Sequence, residues 1–155
     1  MMDGCPGSRM QDFREEETKG DETGKRASQL KQWPIQLHLV SPMAPYYQKA
    51  DVLLSADCVA YTAGDFHKDY LKGKAIAIAC PKLDEGQDEY VEKIQSLIDD
   101  AKINTLTVMI MQVPCCGGLV AMAQQALQQA KRKIPVKSVV LSLQGDVLSE
   151  EWVSS

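Results

Sequence analysis

The sequence predicts an α/β protein: a three-layer α/β/α sandwich built on a mainly parallel five-stranded sheet. Three observations predict it. Short, nearly continuous apolar runs alternate with segments of helical periodicity; the runs are apolar on both faces, as strands covered from both sides must be; and most stop abruptly at a proline, glycine or cysteine.

The first 32 residues stand apart. From Gly7 to Gln32 the stretch GSRMQDFREEETKGDETGKRASQLKQ is highly charged and nearly free of β-branched and aromatic residues, so it offers too little apolar surface to offset its ordering entropy and reads as a flexible segment. The composition changes at Trp33, and residues 33–148 read as one α/β domain, followed by a tail over 149–155. Five runs predict the strands, in order: IQLHLV from Ile35, DVLLSAD from Asp51, KAIAIA from Lys74, TLTVMIMQV from Thr105 and VKSVVLSL from Val136. Pro135 and Lys137 allow the last run to lie at an edge in either direction. Between the third and fourth runs, Tyr90, Val91, Ile94, Leu97, Ile98 and Ala101 recur at helical spacing, with Asp84, Glu85, Asp88 and Glu89 at the end where the helix dipole favours acids. Between the fourth and fifth, Leu119, Met122, Ala123, Ala126, Leu127 and Ala130 repeat the pattern, and Lys131–Lys133 place cations at its C-terminal end. Shorter helices are expected around Tyr46–Lys49 and Phe66–Leu71.

Composition excludes several classes of function. A chain of 155 residues with 45% hydrophobic and 25% charged residues fits one ordinary globular domain, and a net charge of -4 without a basic stripe argues against nucleic acid as partner. The apolar runs fall well short of the roughly 20 residues that span a bilayer, and the start MMDGCPGSRMQDF lacks the basic-then-apolar order of a signal peptide, so a cytoplasmic protein without membrane contact is expected. In a reducing compartment the five cysteines are ligands, redox thiols or small buried hydrophobes rather than structural disulfides. Neither GxGxxG, GxxxxGK[ST] nor GxSxG occurs, so the dinucleotide, P-loop and serine-hydrolase readings lack their marks.

The cysteines carry the functional reading. Three runs end in cysteine, as SADC, AIAC and VPCC. In an open parallel sheet the carboxyl ends of the strands share one edge, where ligands bind, so Cys58, Cys80, Cys115 and Cys116 gather on a single rim. Cys80 and Cys116 also precede helices, whose unpaired N–H groups favour thiolate, the metal-binding form. Gly117 and Gly118 strip side chains from the turn, letting backbone approach whatever the thiolates hold. One cysteine at a strand end is usually a core filler; four on one rim reverse that reading. The pattern fits a [4Fe-4S] cluster or Zn²⁺, or thiol–disulfide exchange through the Cys115/Cys116 pair, or a non-catalytic docking domain with buried thiols. His67, beside Asp65, is a candidate ligand or proton donor at the rim but reads first as an exposed helix-start residue; His38 reads as structural, Asp57 as a turn or supporting group, and Cys5 as a thiol outside the domain.

Several segments carry a family resemblance: GCPGSR, QWPIQLHLVSPMAPYYQKADVLLSADCVAY, GDFH, ACPKLD and VPCCGGL. Together they resemble the C-terminal domain of prokaryotic ferredoxin-like (4Fe-4S) iron-sulfur proteins, over nearly everything from Trp33 to Leu148 with Cys5 as an outlying piece. In longer members a two-cluster ferredoxin module precedes this domain, but no C-x2-C-x2-C-x3-C-P run is present here, so the resemblance extends to the domain without that module. It implies an iron-sulfur, electron-transfer setting and a ferredoxin-type electron-transfer protein as partner, and it assigns no catalytic role to the cysteines.

Overall fold

The computed structural model of the chain describes residues 9–15, 24–114 and 117–153. Its main sheet has five strands, β3 (Asp51–Ala56), β4 (Ala75–Ala79), β5 (Thr105–Met111), β6 (Val136–Leu141) and β7 (Val147–Val153), in the order β4-β3-β5-β6-β7. Two short strands, β1 (Gln11–Asp12) and β2 (Gln32–Trp33), pair separately and antiparallel. The first four strands of the main sheet are parallel, with Ala56 opposite Ala79 and Leu54 opposite Val108, and only β7 runs antiparallel. The predicted α/β fold with a mainly parallel five-stranded sheet is therefore present.

Among the described residues the α-helices α1 (Val59–Thr62), α2 (Gln87–Asp99) and α3 (Gly117–Gln129) connect the strands, and the two short helical segments expected from the sequence are present as single turns at Pro45–Tyr47, before β3, and His67–Leu71, between α1 and β4. Connecting β3 to β4 steps one way across the sheet, whereas β4 to β5 and β5 to β6 step the other way. Right-handed crossovers therefore put α1 on one face and α2 with α3 on the opposite face, where these two helices pack together. Both long helices bury the stripes read from the sequence: Tyr90, Val91, Ile94, Leu97 and Ile98 in α2, and Leu119, Met122, Ala123, Ala126 and Leu127 in α3. The basic end of the second stripe has a specific use, since Lys133 donates to the carbonyls of Leu127, Gln128 and Ala130 at the close of α3.

Two expectations are corrected. IQLHLV is not a full strand: Gln36 forms one parallel bridge to Ile78, with Leu37 N–H donating to Ile78 O at 2.8 Å and Ile78 N–H to Ile35 O at 2.8 Å. The chain then turns, because the Gln36 carbonyl accepts from the N–H groups of Leu39 and Val40 while its own side chain accepts from His38 N–H at 2.6 Å. The bridge is completed by the amide of Gln32, which is 2% exposed and pairs with Ile76 as a strand would, accepting from its N–H at 2.8 Å and donating to its carbonyl at 2.9 Å. Together they close the β4 edge. The fifth strand is instead β7, so residues 149–153 of the expected tail belong to the sheet.

The described residues before Trp33 also meet the domain. Arg26 pairs with Asp65 at 3.2 Å, and Gln29 N–H donates to His67 Nδ1 at 2.9 Å.

Candidate functional site

Parallel registration brings the ends of β3 and β4 side by side. The ladder runs one step past the strands, Asp57 N–H donating to Ala79 O at 3.1 Å, so Cys58 at the start of α1 and Cys80 just after β4 emerge next to each other. Both are free thiols, Cys58 exposed and Cys80 partly buried, and both line a cleft of about 220 Å³ at the carboxyl edge. Its walls are almost wholly apolar, with Met111 and Val113 from the end of β5, Pro81, and Leu143 from the β6–β7 turn. No lysine or arginine is among the described residues that line it.

The loop that carries Cys80 is held by one carboxylate. Asp84 Oδ2 accepts from Cys80 N–H at 2.9 Å and from Gln36 Nε2 at 3.0 Å, and it also accepts from the Tyr90 hydroxyl. In return Asp84 N–H donates to the Cys80 carbonyl at 2.9 Å. Burial, followed by the bond and charge of Asp84, pushes the Tyr90 hydroxyl well above its usual range, so it remains a donor. Sequence reasoning had Asp84 as one more acid favoured by the helix dipole; α2 begins at Gln87, and Asp84 closes the loop instead. The available signal was the acid four residues after the cysteine in ACPKLD.

Asp57 lies in the same cleft with its Oδ1 buried and without a hydrogen-bond partner among the described residues. Burial first, and the nearby charge of Asp84 second, raise its carboxyl above the usual value. The glycines divide. A Cβ on Gly117 would meet open space, whereas one on Gly118 would stand 3.2 Å from Pro81 Cβ, so Gly118 is where α3 approaches the Cys80 loop. Gly145, at φ 92°, brings the β6–β7 turn over α1, where a Cβ would lie 2.6 Å from the Thr62 carbonyl oxygen.

The other candidates fall elsewhere. Cys115, Cys116 and Cys5 lie outside the described residues. His67 is engaged with Gln29 N–H rather than among the residues that line the cysteine cleft. His38 stacks on Tyr90 with ring centroids 4.2 Å apart and contacts the Glu85 carbonyl and the Glu89 carboxylate, a structural role of the kind expected. Among the described residues no three His, Cys, Asp or Glu side chains form a metal-ligating group, so two thiols are the described part of the site.

The fold and the position of this cleft define a protein of the open α/β class with its concave site at the carboxyl edge of the sheet. The chain belongs to the Rossmann-like domain family, whose model matches residues 44–154. An uncharacterized protein of Archaeoglobus fulgidus is 29% identical over 121 residues, which cover 77% of this chain and 83% of the relative. No solved structure matches the chain.

Proposed function

We propose that the carboxyl-edge cleft is a thiolate site for a soft metal centre, a [4Fe-4S] cluster or Zn²⁺, in a cytoplasmic protein that works with a ferredoxin-type electron carrier. The observation that carries this reading is the placement of Cys58 and Cys80, just past the ends of the neighbouring parallel strands β3 and β4, in one apolar cleft with Val113, just past the end of β5. Val113 leads through Pro114 directly to Cys115 and Cys116, which would supply the remaining ligands.

The lining also supports this reading over thiol–disulfide exchange. A nucleophilic thiolate is ordinarily favoured by a nearby cation, and no lysine or arginine is among the described lining residues. A metal ion supplies its own positive charge, which compensates thiolates in an apolar cleft, and Asp84 holds the Cys80 backbone so that its sulfur needs little reordering. A bound iron-sulfur cluster supplies one-electron transfer; Zn²⁺ would hold the rim together without redox chemistry. The resemblance to ferredoxin-like iron-sulfur proteins supports the first of these.

Anaerobic purification followed by iron, zinc and sulfide analysis tests the reading. Bound metal is expected at near-stoichiometric level, with the broad visible absorbance of a cluster if iron and sulfide are found. Metal-free protein after anaerobic reconstitution with iron and sulfide, and after zinc addition, would overturn it.

A further inference from the structure

Met111 lines the same cleft as Cys58 and Cys80 and is 3% exposed. The sheet register brings it there. Ser55 of β3 pairs with Met109 of β5, and Ala56 with Ala79 of β4, so Met111 and Cys80 both stand level with Asp57, on either side of the end of β3, and Cys58 follows one residue on. Two strand spacings of about 4.8 Å separate the backbones of β4 and β5, a span that one ion can bridge with a long thioether on one side and a thiol on the other. Asp57, the carboxylate of the cleft, completes no metal-ligating group with the two cysteines, and the Thr62 hydroxyl is turned to its own helix, donating to the Cys58 carbonyl at 3.0 Å. Three sulfurs are therefore the soft donors of the described lining.

From this we infer that Met111 is a metal-ligating residue and that Cys58, Cys80 and Met111 form a three-sulfur site for Cu(I). The inference rests on the reading of this cleft as a soft-metal thiolate site and goes beyond it in the third ligand and in the ion. Thiolates combined with a thioether select Cu(I), whereas structural Zn²⁺ takes four donors, thiolate, imidazole or carboxylate rather than thioether. A thioether also adds a donor without adding charge. When the ion binds, the two thiol protons leave to solvent, and Cu(I) on two thiolates and a thioether carries one net negative charge, against two for Zn²⁺ on four thiolates; the smaller charge costs less in a lining without lysine or arginine among its described residues.

Anaerobic titration of the full chain with Cu(I), against the colorimetric chelator bathocuproine disulfonate, tests it. One Cu(I) per chain should be retained. Met111→Leu nearly conserves volume and should weaken Cu(I) binding about tenfold or more while leaving Zn²⁺ affinity within about twofold; Met109→Leu, in the same strand but outside the cleft lining, should change Cu(I) affinity by no more than about twofold. A Cys5→Ser/Cys115→Ser/Cys116→Ser variant should still retain Cu(I), and copper X-ray absorption should find three sulfur neighbours there, a number that Cys58 and Cys80 cannot supply without a thioether. Two neighbours in that variant would overturn the inference even if Met111→Leu disturbed the core. Loss of Cu(I) to the chelator from the parent chain, or equal Cu(I) affinity of the parent and Met111→Leu, would also overturn it, and an iron-sulfide or Zn²⁺ site that persisted in that case would leave the thiolate reading standing. Cu(I) retained on three sulfurs in a chain that takes neither iron and sulfide nor Zn²⁺ would support this inference and overturn the cluster or zinc alone.

Discussion

Asp84 shows how much one side chain can organise. Three donors converge on its Oδ2: the Cys80 N–H of its own loop, the Tyr90 hydroxyl from the following helix α2, and the Gln36 amide from a distant part of the chain. Tyr90 is 0% exposed, so its O–H has no ready water to replace a lost acceptor. Asp84→Ala should therefore cost about 2–3 kcal/mol, the penalty of leaving buried donors unmet, while Tyr90→Phe, which removes one donor and leaves the carboxylate its other partners, should cost about 1 kcal/mol. Urea unfolding of both variants checks the order. Loss of Asp84 should also release the 80–84 loop, seen as faster reaction of the Cys80 thiol with an alkylating reagent in a Cys58→Ser background. Equal reaction rates with and without Asp84 would show that the loop is held by other contacts.

At the level of elements, the parts that sequence made legible are those whose burial leaves a periodic trace. The five buried positions of each long helix and the apolar runs of β3 to β6 are of this kind. The strand β7 left no such trace because it is an edge element: Leu148 and Trp152 are exposed at 51% and 73%, and Glu150 and Glu151 interrupt any alternation. Its pairing partner explains it instead, with Lys137 of β6 opposite Trp152 and joined to Glu150 at 3.4 Å. IQLHLV misled in the opposite sense, since Leu37 and Val40 are buried turn residues after a single bridge, with no strand around them, while Leu39 faces out. The cysteine rim was legible through topology alone at Cys58 and Cys80, whereas the Asp84 clamp depended on a fold-specific contact with Gln36 that no local pattern encodes. The edge role of β7 gives a test. Ending the chain after Asp146 uncovers the backbone of β6, whose Val136, Val139 and Leu141 are buried, and should replace a cooperative thermal transition with aggregation measurable by light scattering. An unchanged melting temperature for the truncated chain would mean that β7 adds nothing to the folded sheet.

For the whole molecule, stability reflects ties between layers that the strands do not provide. Asp99, at the end of α2, accepts from the N–H groups of Lys131 and Arg132 at 2.9–3.1 Å and so fixes the connection from α3 to β6. Burial pushes its carboxyl up, but the bonds from Arg132 and Lys131, with the Lys131 charge, outweigh this and hold it below the usual value. A lowered folded value means that the contribution is present above the unfolded value near 3.9 and lost as pH falls through the folded one. Asp99→Asn should thus cost about 1 kcal/mol at neutral pH, modest because solvent screens the site, and the difference from the parent chain should disappear as pH falls through the lowered folded value. The carboxyl edge offers a further tie. A metal held by Cys58, Cys80 and the thiols after Val113 would cross-link the ends of β3, β4 and β5, three strands adjacent in the order β4-β3-β5. Because in the proposed site only the folded chain would bring these thiols together, metal at about 100 times its dissociation constant should add about 2.7 kcal/mol to stability. Cys80→Ser nearly conserves volume but is a poor ligand for soft metals, so the metal-free variant should melt with the parent chain while losing the metal-dependent rise in Tm. A rise that survives in Cys80→Ser would place the metal elsewhere, and a metal-free variant that melts well below the parent would make Cys80 a packing residue, with the cleft then a structural seam between β3 and β4.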